Sequence, residues 1–280
     1  MPIPYLTNIT VFKHGITSST LILVLGLCAP IMTLANAAEY RGGRPDTNTS
    51  RWGIGIGAIS QQQGIKGIDR NTVVIPFLSY ESQYVRWFGP SIDIKLPSVI
   101  IDKAQQIKFS LTGRYDFGGY DDDDIDDTPI LQGMDEREGG FGIGAKAQWQ
   151  NPWLDVYAQW MSDVSGDRDG HYFSLGVDKR WIFDQQIMVS PRIVAVWLDD
   201  NYVDFQYGVQ SHEATVARSA YIGEATVNIE LGVRVAYLFD RSSSVFIDGS
   251  ITSLGDEIKD SPLVDSATEN RFMLAYLYKF

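Results

Sequence analysis

The last ten residues of the chain constrain its fold more than any other stretch. Every second residue back from the carboxyl terminus is apolar, which gives one face made of Phe272, Leu274, Tyr276, Tyr278 and Phe280. The intervening positions include Arg271 and Lys279. A period of two with one wholly apolar face predicts a strand that has lipid on one side and a lumen on the other. The segment is therefore expected to be the closing strand and assembly signal of a transmembrane β-barrel. An edge strand of a soluble sandwich is the alternative.

The same alternation recurs from Trp52 onward and predicts an all-β protein. Further alternating segments lie at about 52–58, 73–80, 84–88, 92–96, 107–115, 141–149, 154–160, 173–180, 187–197, 227–239 and 245–252. With the closing strand they predict a transmembrane antiparallel up-and-down β-barrel of twelve strands, with ten as the alternative, because single-chain bacterial barrels have even strand numbers. Pro76 is expected at an edge or a bulge, because proline cannot donate to a ladder.

The connections between these strands fall into two classes by length. With an outward first strand, most of the long ones are external, including 61–70, 116–137, 199–223 and 255–269. The short turns and the 97–106 connection are then periplasmic, which is the usual arrangement in outer-membrane barrels. The chain is therefore expected in the outer membrane of a Gram-negative cell.

The amino terminus reads as a targeting segment. Residues 1–37 lack Asp and Glu, contain an apolar run from Leu21 to Leu34, and end in Ala35-Asn36-Ala37, a small-residue cleavage site. Cleavage after Ala37 would remove Cys28, the only cysteine, and with it any disulfide or thiolate chemistry. Residues 38–50 would form a periplasmic lead-in, and 51–280 the barrel.

The overall charge narrows the choice of partners. A formal net charge of −12 argues against nucleic acid, because little basic surface is left to neutralise phosphates. Aromatic residues make up 12% of the chain, a content typical of a barrel with two interfacial girdles. Outer-membrane lipid, lipopolysaccharide and the barrel-assembly machinery are the partners expected of such a chain.

One acidic run is a weak candidate for cation binding. It consists of Asp121, Asp122, Asp123, Asp124, Asp126 and Asp127. Hard cations prefer several carboxylate oxygens, but the run lacks the central glycine and the twelfth-position glutamate of an EF-hand. A solvated loop is the favoured interpretation, and loose Mg²⁺ or Ca²⁺ bridging to lipopolysaccharide phosphates is the alternative.

Charged residues also alternate with the apolar face on several predicted strands. These predicted lumen-facing charges are Lys108, Arg114, Lys146, Asp155, Asp178, Arg180, Arg192, Glu230 and Arg234. They could line a small pore or bind a ligand. A salt-bridge network that fills the interior is an equally good interpretation, since side chains fill the lumen of small barrels.

No pattern in the sequence indicates catalysis or a cofactor. After the signal peptide the histidines are His171 and His212, and neither lies in a His-x-Ser context that would suit nucleophilic catalysis. The glycine-rich pieces 53–57 and 139–144 do not open helices, so they are not nucleotide loops. The chain is therefore predicted not to be an enzyme.

Several stretches, taken in order, resemble the MipA/OmpV family of outer-membrane proteins. They are Thr112-Gly-Arg-Tyr-Asp with the acidic loop and Leu131-Gln-Gly-Met-Asp, then Glu138-Gly-Gly-Phe-Gly-Ile-Gly, Tyr207-Gly-Val with Glu213-Ala, and Ser261-Pro-Leu-Val before the closing strand. The acidic run is longer than the family pattern suggests.

The resemblance implies a barrel without known catalytic residues. The family's named member is regarded as a scaffold between a lytic murein transglycosylase and a murein synthase, which implies a periplasmic murein hydrolase and synthase as partners. A narrow channel for small polar solutes and a surface adhesin are the alternatives. For a scaffold, the contacts are expected in 39–50, 97–106 and the short periplasmic turns.

Overall fold

The computed structural model describes residues 50–166 and 168–280. The signal peptide predicted for 1–37 lies outside the described residues, as does the lead-in predicted for 38–50 except for Ser50.

Within the described residues the chain consists mainly of strands joined by turns and a few short helices. The strands are β1 (Arg51–Gln62), β2 (Asn71–Glu81), β3 (Val85–Phe88), β4 (Ser91–Lys95), β5 (Val99–Ile100), β6 (Gln106–Asp116), β7 (Gly140–Gln150), β8 (Asp155–Asp163), β9 (His171–Asp178), β10 (Trp181–Phe183), β11 (Ile187–Leu198), β12 (Thr226–Leu238), β13 (Ser243–Ser253) and β14 (Thr268–Lys279). The helices are α1 (Asp122–Asp127), α2 (Asp200–Tyr207) and α3 (Asp256–Lys259).

The strands form one closed antiparallel barrel. The ladder runs β11-β12-β13-β14-β1-β2-β3-β4-β6-β7-β8-β9 and closes where β9 pairs β11. The short strands β5 and β10 lie on the same sides of β6 and β11 as β4 and β9, so they continue those strands after a break. The described residues therefore form the predicted twelve-stranded barrel, which confirms the fold class.

The two faces of the wall differ as the alternation predicts. The five apolar residues of the closing strand, four on β14 and Phe280 directly after it, are exposed, whereas Met273, Ala275 and Leu277 between them are buried. Such an outward apolar band with interfacial aromatics is what a bilayer requires of a barrel. The wall thus turns hydrocarbon-compatible side chains outward all the way around.

Three connections predicted as loops contain helices. Helices α1, α2 and α3 lie in the predicted loops 116–137, 199–223 and 255–269. In α1 and α2 an aspartate starts the helix, because its carboxylate accepts a hydrogen bond from a free backbone N–H of the first turn. Among the described residues, no helix combines the length and the apolar composition needed to cross a bilayer.

A glycine on the inner face of β1 makes room for an aromatic ring. Gly55 lies opposite Phe77 of β2. A Cβ at Gly55 would lie 2.2 Å from Cζ of the Phe77 ring. The ring therefore packs flat on the wall only because residue 55 has no side chain.

We expect Gly55→Val to destabilise the barrel by about 1–3 kcal/mol, the usual cost of overpacking a filled interior. The measurement is the urea concentration at which the folded, heat-modifiable band is lost in electrophoresis. Phe77→Ala in the same chain should restore much of the loss. If the destabilisation of the double variant equals the sum of the destabilisations of the two single variants, the packing explanation is wrong.

Candidate functional site

Four long connections pack together at one end of the barrel. We call residues 63–70, 117–139, 199–225 and 254–267 the cap, and the end of the barrel at which they lie the cap end. The opposite end, where β1 begins and β14 stops, is the terminus end. The apolar core of the cap is buried and consists of Ile65, Tyr120, Ile125, Leu131, Met134, Tyr202, Val203, Tyr207, Val209, Leu254, Ile258 and Leu263. The same cluster includes Tyr157, Val194, Val196 and Leu198 of the inner wall. The cap is therefore packed into the mouth of the barrel.

A buried arginine joins two of the cap connections. The side chain of Arg218 is almost inaccessible and donates to the carbonyl oxygens of Ile130, Gln132 (3.3 Å) and Glu213. One guanidinium thus satisfies carbonyls from connections that are far apart in sequence. Removing it would leave these buried acceptors without a donor, which is costly.

Glu213 is the centre of a second buried contact. Its carboxylate accepts from Arg137 Nη2 at 2.7 Å, from the Asp135 N–H at 2.9 Å and from the Gln210 N–H at 2.7 Å. Arg137 also donates through Nε to the Phe205 carbonyl at 2.9 Å. This buried pair is fully hydrogen-bonded, which is the condition under which a buried ion pair is tolerated.

A third buried arginine ties the cap to the barrel rim. Arg168 donates through Nη1 to Asp116, at the end of β6, at 2.9 Å. Its guanidinium carbon lies 5.0 Å from the ring centroid of Tyr202 and 5.3 Å from that of Phe205, both in α2. Arg168 therefore connects α2, which lies over the mouth of the barrel, to the end of β6.

The first and last cap connections are also paired with each other. Ile65 and Val264 form an antiparallel bridge. The Lys66 N–H donates to the Leu263 carbonyl at 2.8 Å, and the Asp265 N–H donates to the Gly64 carbonyl at 3.1 Å. The pairing of β1 with β14 thus continues into the cap.

The structure places the two histidines in structural surroundings. The backbone N–H of His171 donates to Asp199 Oδ2 at 2.9 Å, and Asp199 Oδ1 accepts from Tyr202 N at the start of α2. His212 Nε2 lies 2.8 Å from Asp135 Oδ2. Asp135, His212 and Glu213 are the only described residues grouped closely enough to share a metal ion, but both oxygens of Glu213 already accept hydrogen bonds.

The acidic run forms a helix and its cap. Asp121 Oδ1 accepts from the Asp124 N–H at 3.0 Å, and Asp122, Asp123, Asp124, Asp126 and Asp127 lie in α1. Asp121 and the first-turn residues Asp122, Asp123 and Asp124 lie where carboxylates interact favourably with the helix dipole, whereas Asp126 and Asp127 lie at the opposite end of the helix. Cation binding by these residues stays a prediction.

Three of the predicted lumen-facing charges meet on the inner face of β11 and β12. Arg192 pairs with Glu230 at 2.8 Å and, through both terminal nitrogens, with Asp248 at 2.9 and 3.0 Å. Arg234 donates to the same Asp248 at 2.9 Å, and Arg271 lies 4.0 Å from it. The network joins β11 to β14 across the interior.

The other predicted charges line a different part of the wall. Arg114 and Lys146 are buried, and Lys146 Nζ lies 4.7 Å from the ring centroid of Tyr157. Asp155 and Asp178 face each other across β8 and β9, while Lys108 is half-buried on β6. Arg180 lies in the break between β9 and β10 rather than on a strand, because the ladder is interrupted there.

Most of the residues that hold the cap were not predicted from the sequence. Arg137, Arg168 and Arg218 were not among the candidates, and neither was Asp248, the centre of the interior network. For Asp248 a signal exists, since it alternates with exposed Ile247 on β13. For the cap arginines none exists, because their partners are carboxylates and backbone carbonyls that lie far away in the sequence.

The closed ladder and the outward apolar face with its interfacial aromatic residues define the chain as an outer-membrane β-barrel protein. Residues 54–280 match the sequence model of the family described as MltA-interacting protein MipA. The chain belongs to this family, which confirms the resemblance drawn from its motifs.

Individual relatives agree with the family and with an outer-membrane location. The chain is 24% identical over 254 residues to the putative outer membrane protein YiaT of Escherichia coli K12, covering 90% of this chain and 95% of that protein. It is 24% identical to outer membrane protein OmpV of Vibrio cholerae, covering 84% and 89%. It is 23% identical to the MltA-interacting protein of Escherichia coli K12, covering 93% and 100%.

Among solved structures, an outer-membrane channel from Pseudomonas putida F1 is similar with 12% sequence identity and a TM-score of 0.44. It covers 86% of this chain and 100% of its own. The likeness concerns the barrel shape alone.

The contacts of Glu213 predict how the cap responds to acid. Burial alone would raise the pKa of its carboxyl, but the hydrogen bonds from Asp135, Gln210 and Arg137 lower that pKa below the ordinary 4.5. A carboxylate with a lowered pKa stabilises the fold above its unfolded value and loses this effect as pH falls through the folded value. The cap is therefore expected to loosen below pH 4.5, which limited proteolysis of the cap connections across a pH series would measure.

Glu213→Gln should make the cap protease-sensitive already at neutral pH, because the charge partner of Arg137 is lost. His212→Gln is the matched control, since His212 is exposed beside the same residue. Equal protease resistance of Glu213→Gln and the native protein at pH 7 would contradict this account.

Proposed function

We propose that this chain is a non-enzymatic outer-membrane scaffold or adaptor that is linked to peptidoglycan synthesis and remodelling. The observation that carries the proposal is the cap, which packs an apolar core and buried ion pairs into one mouth of the barrel. A barrel filled in this way is better suited to holding a partner at its rim than to passing solutes. The name of one relative, MltA-interacting protein, supports a murein-related partner.

The terminus end offers a surface for such a partner. Short turns at this end match the periplasmic side of outer-membrane barrels. Ile100 on β5 is 74% exposed and Trp153 in the turn after β7 is 72% exposed. Ile100 lies opposite Gln106, which lies opposite Gln150, so the two apolar side chains belong to neighbouring parts of the rim.

A photo-crosslinking residue at Lys103, an exposed position in the same connection, tests this surface in cells. We expect it to capture a murein hydrolase or synthase, identified by mass spectrometry against another barrel of equal abundance. Capture of barrel-assembly and lipopolysaccharide components only would remove the main support for a scaffold.

Substitutions on the rim should weaken that capture. Ile100→Ser with Trp153→Ser is expected to reduce it at least tenfold, because burying even one exposed large apolar side chain contributes about 1.5–3 kcal/mol. Val216→Ser is the matched control, since Val216 is fully exposed on the cap. Equal loss in both variants would mean that the rim is not the docking surface.

A narrow channel is the second candidate, and one observation favours it. On the inner wall Tyr157 Oη, Asp178 Oδ2, Arg180 Nε and Ser190 Oγ are buried without a hydrogen-bond partner among the described residues. Buried polar atoms of this kind commonly contact water or a solute. A water-filled passage along β8, β9 and β11 would provide both.

Single-channel recording in planar bilayers separates the two candidates. A scaffold with a closed cap should show no steady conductance, whereas a channel should show small, uniform steps. Ser190→Arg should block such steps while leaving the rim untouched. Steps that persist unchanged in that variant would locate the conducting path elsewhere.

A further inference from the structure

The barrel wall is incomplete beside β2. Strand β3 has four residues and pairs β2 only at Ser79, Tyr80 and Glu81. The hairpin of β3 and β4 turns at Gly89-Pro90, where the Gly89 N–H donates to the Leu78 carbonyl. Above that turn, residues 71–77 of β2 pair with β1 on one side and, among the described residues, have no strand on the other.

We call this gap the side opening. Residues 71–77 of β2 bound it on one side, the 89–90 turn bounds it below, and Tyr115 and Phe117 at the end of β6 bound it on the other side. The Tyr115 N–H donates to the Pro90 carbonyl, and β6 ends at Asp116, one residue beyond that level. Below the turn, β3 and β4 lie between β2 and β6. At about 4.8 Å per strand spacing, the axes of β2 and β6 are therefore roughly 14 Å apart.

The open edge of β2 is unsuited to a strand of another chain. The Leu78 carbonyl points to the side of β3, so the alternating Pro76, Val74 and Thr72 present their backbone to the same side. Proline has no N–H, and natural proteins use it to prevent edge-to-edge pairing. Pro76 therefore lies at an edge, as the sequence analysis expected, and it interrupts the ladder that a docking strand would need.

The side opening lies at the depth of the hydrocarbon. Trp52, Tyr80 and Trp87 form an aromatic cluster just below it, with ring centroids 4.6 Å apart for the first pair and 6.4 Å for Trp52 and Trp87. Aromatic belts of this kind mark the interface at the membrane surface. Outward-facing Val74 and Leu78 above this belt are exposed, as lipid-contacting residues are.

The interior behind the side opening is apolar, which is unusual for a barrel. Inward-facing Val73, Ile75 and Phe77 lie there together with Phe88 and Phe117. They pack on a buried apolar cluster of the inner wall that includes Ile59, Met273 and Phe246. Val73 and Ile75 are only half-buried, whereas Ala275 and Leu277, inward-facing on the complete part of the wall, are fully buried.

We propose that an acyl chain of an outer-membrane lipid enters through the side opening and lies against Val73, Ile75 and Phe77. Hydrocarbon is the material present at this depth, and an apolar lining gains free energy by contact with it. A protein strand is disfavoured by Pro76, and polar solutes are disfavoured by the lining. The site is a lipid-binding function of the barrel wall that does not depend on the scaffold role.

The test uses the native protein in vesicles of phosphatidylethanolamine and phosphatidylglycerol. The probe is a phosphatidylethanolamine with a diazirine at the end of one acyl chain. After illumination, adducts are assigned to residues by mass spectrometry. Outward-facing residues of β2 and β14 should be labelled alike.

Labelling of the inward-facing residues distinguishes an acyl chain inside the side opening from lipid outside the barrel. We expect adducts on Val73, Ile75 or Phe77 of β2 and none on Met273, Ala275 or Leu277 of β14, whose wall is complete on both sides. Adducts confined to outward-facing residues on both strands would overturn the proposal.

A variant tests whether labelling of the inward-facing residues of β2 reports acyl-chain binding in the side opening. Ile75→Asn should lower adducts at Val73 and Phe77 roughly tenfold, because an amide against hydrocarbon is unfavourable. Labelling of outward-facing Val74 should stay unchanged, and heat-modifiable electrophoresis confirms that the variant is folded. Inner labelling that is insensitive to Ile75→Asn in a folded variant would also overturn the proposal.

Discussion

The closure of the backbone ladder is the constraint on which the rest of this structure depends. In a bilayer no water is present to satisfy backbone N–H and C=O groups, so every strand must pair on both sides. The pairing of β1 with β14 and of β9 with β11 closes the ladder, and residues 71–77 of β2, beside the side opening, are the described exception. Once the wall is closed, alternate residues must face inward, and the sequence must then fill or hydrate the interior.

Three chemically different groups of residues fill the interior of the barrel. The cap fills the mouth at one end, the network around Asp248 joins four strands, and an apolar cluster lies between β1, β2 and the β12–β14 wall. The arginines of the cap bind backbone carbonyls as well as carboxylates, so they fix the positions of whole loops as well as of single side chains. The result is a barrel whose inside resembles the core of a soluble protein more than a pore.

The periodic parts of the chain could be predicted from sequence, and the cap could not. Alternation alone locates a strand such as β12, since each inward residue is followed by an outward apolar one. Short helices such as α1 lie in segments rich in polar residues, and these segments show no hydrophobic period. The partners of Arg218 are the carbonyls of Ile130, Gln132 and Glu213, and no local pattern encodes contacts with backbone groups of remote loops. The inward direction of Arg192 was predictable, but its pairing with Asp248 requires the register.

The bridge between Ile65 and Val264 has a consequence for how the finished barrel behaves. The seam between the first and last strands is the one place where the wall is joined by the two ends of the chain rather than by a turn. Because Gly64 and Lys66 pair with the last cap connection, this seam is fastened beyond the bilayer as well as within it. Complete separation of the two strands by lateral force in the membrane would therefore have to break hydrogen bonds outside the lipid as well as the ladder within it.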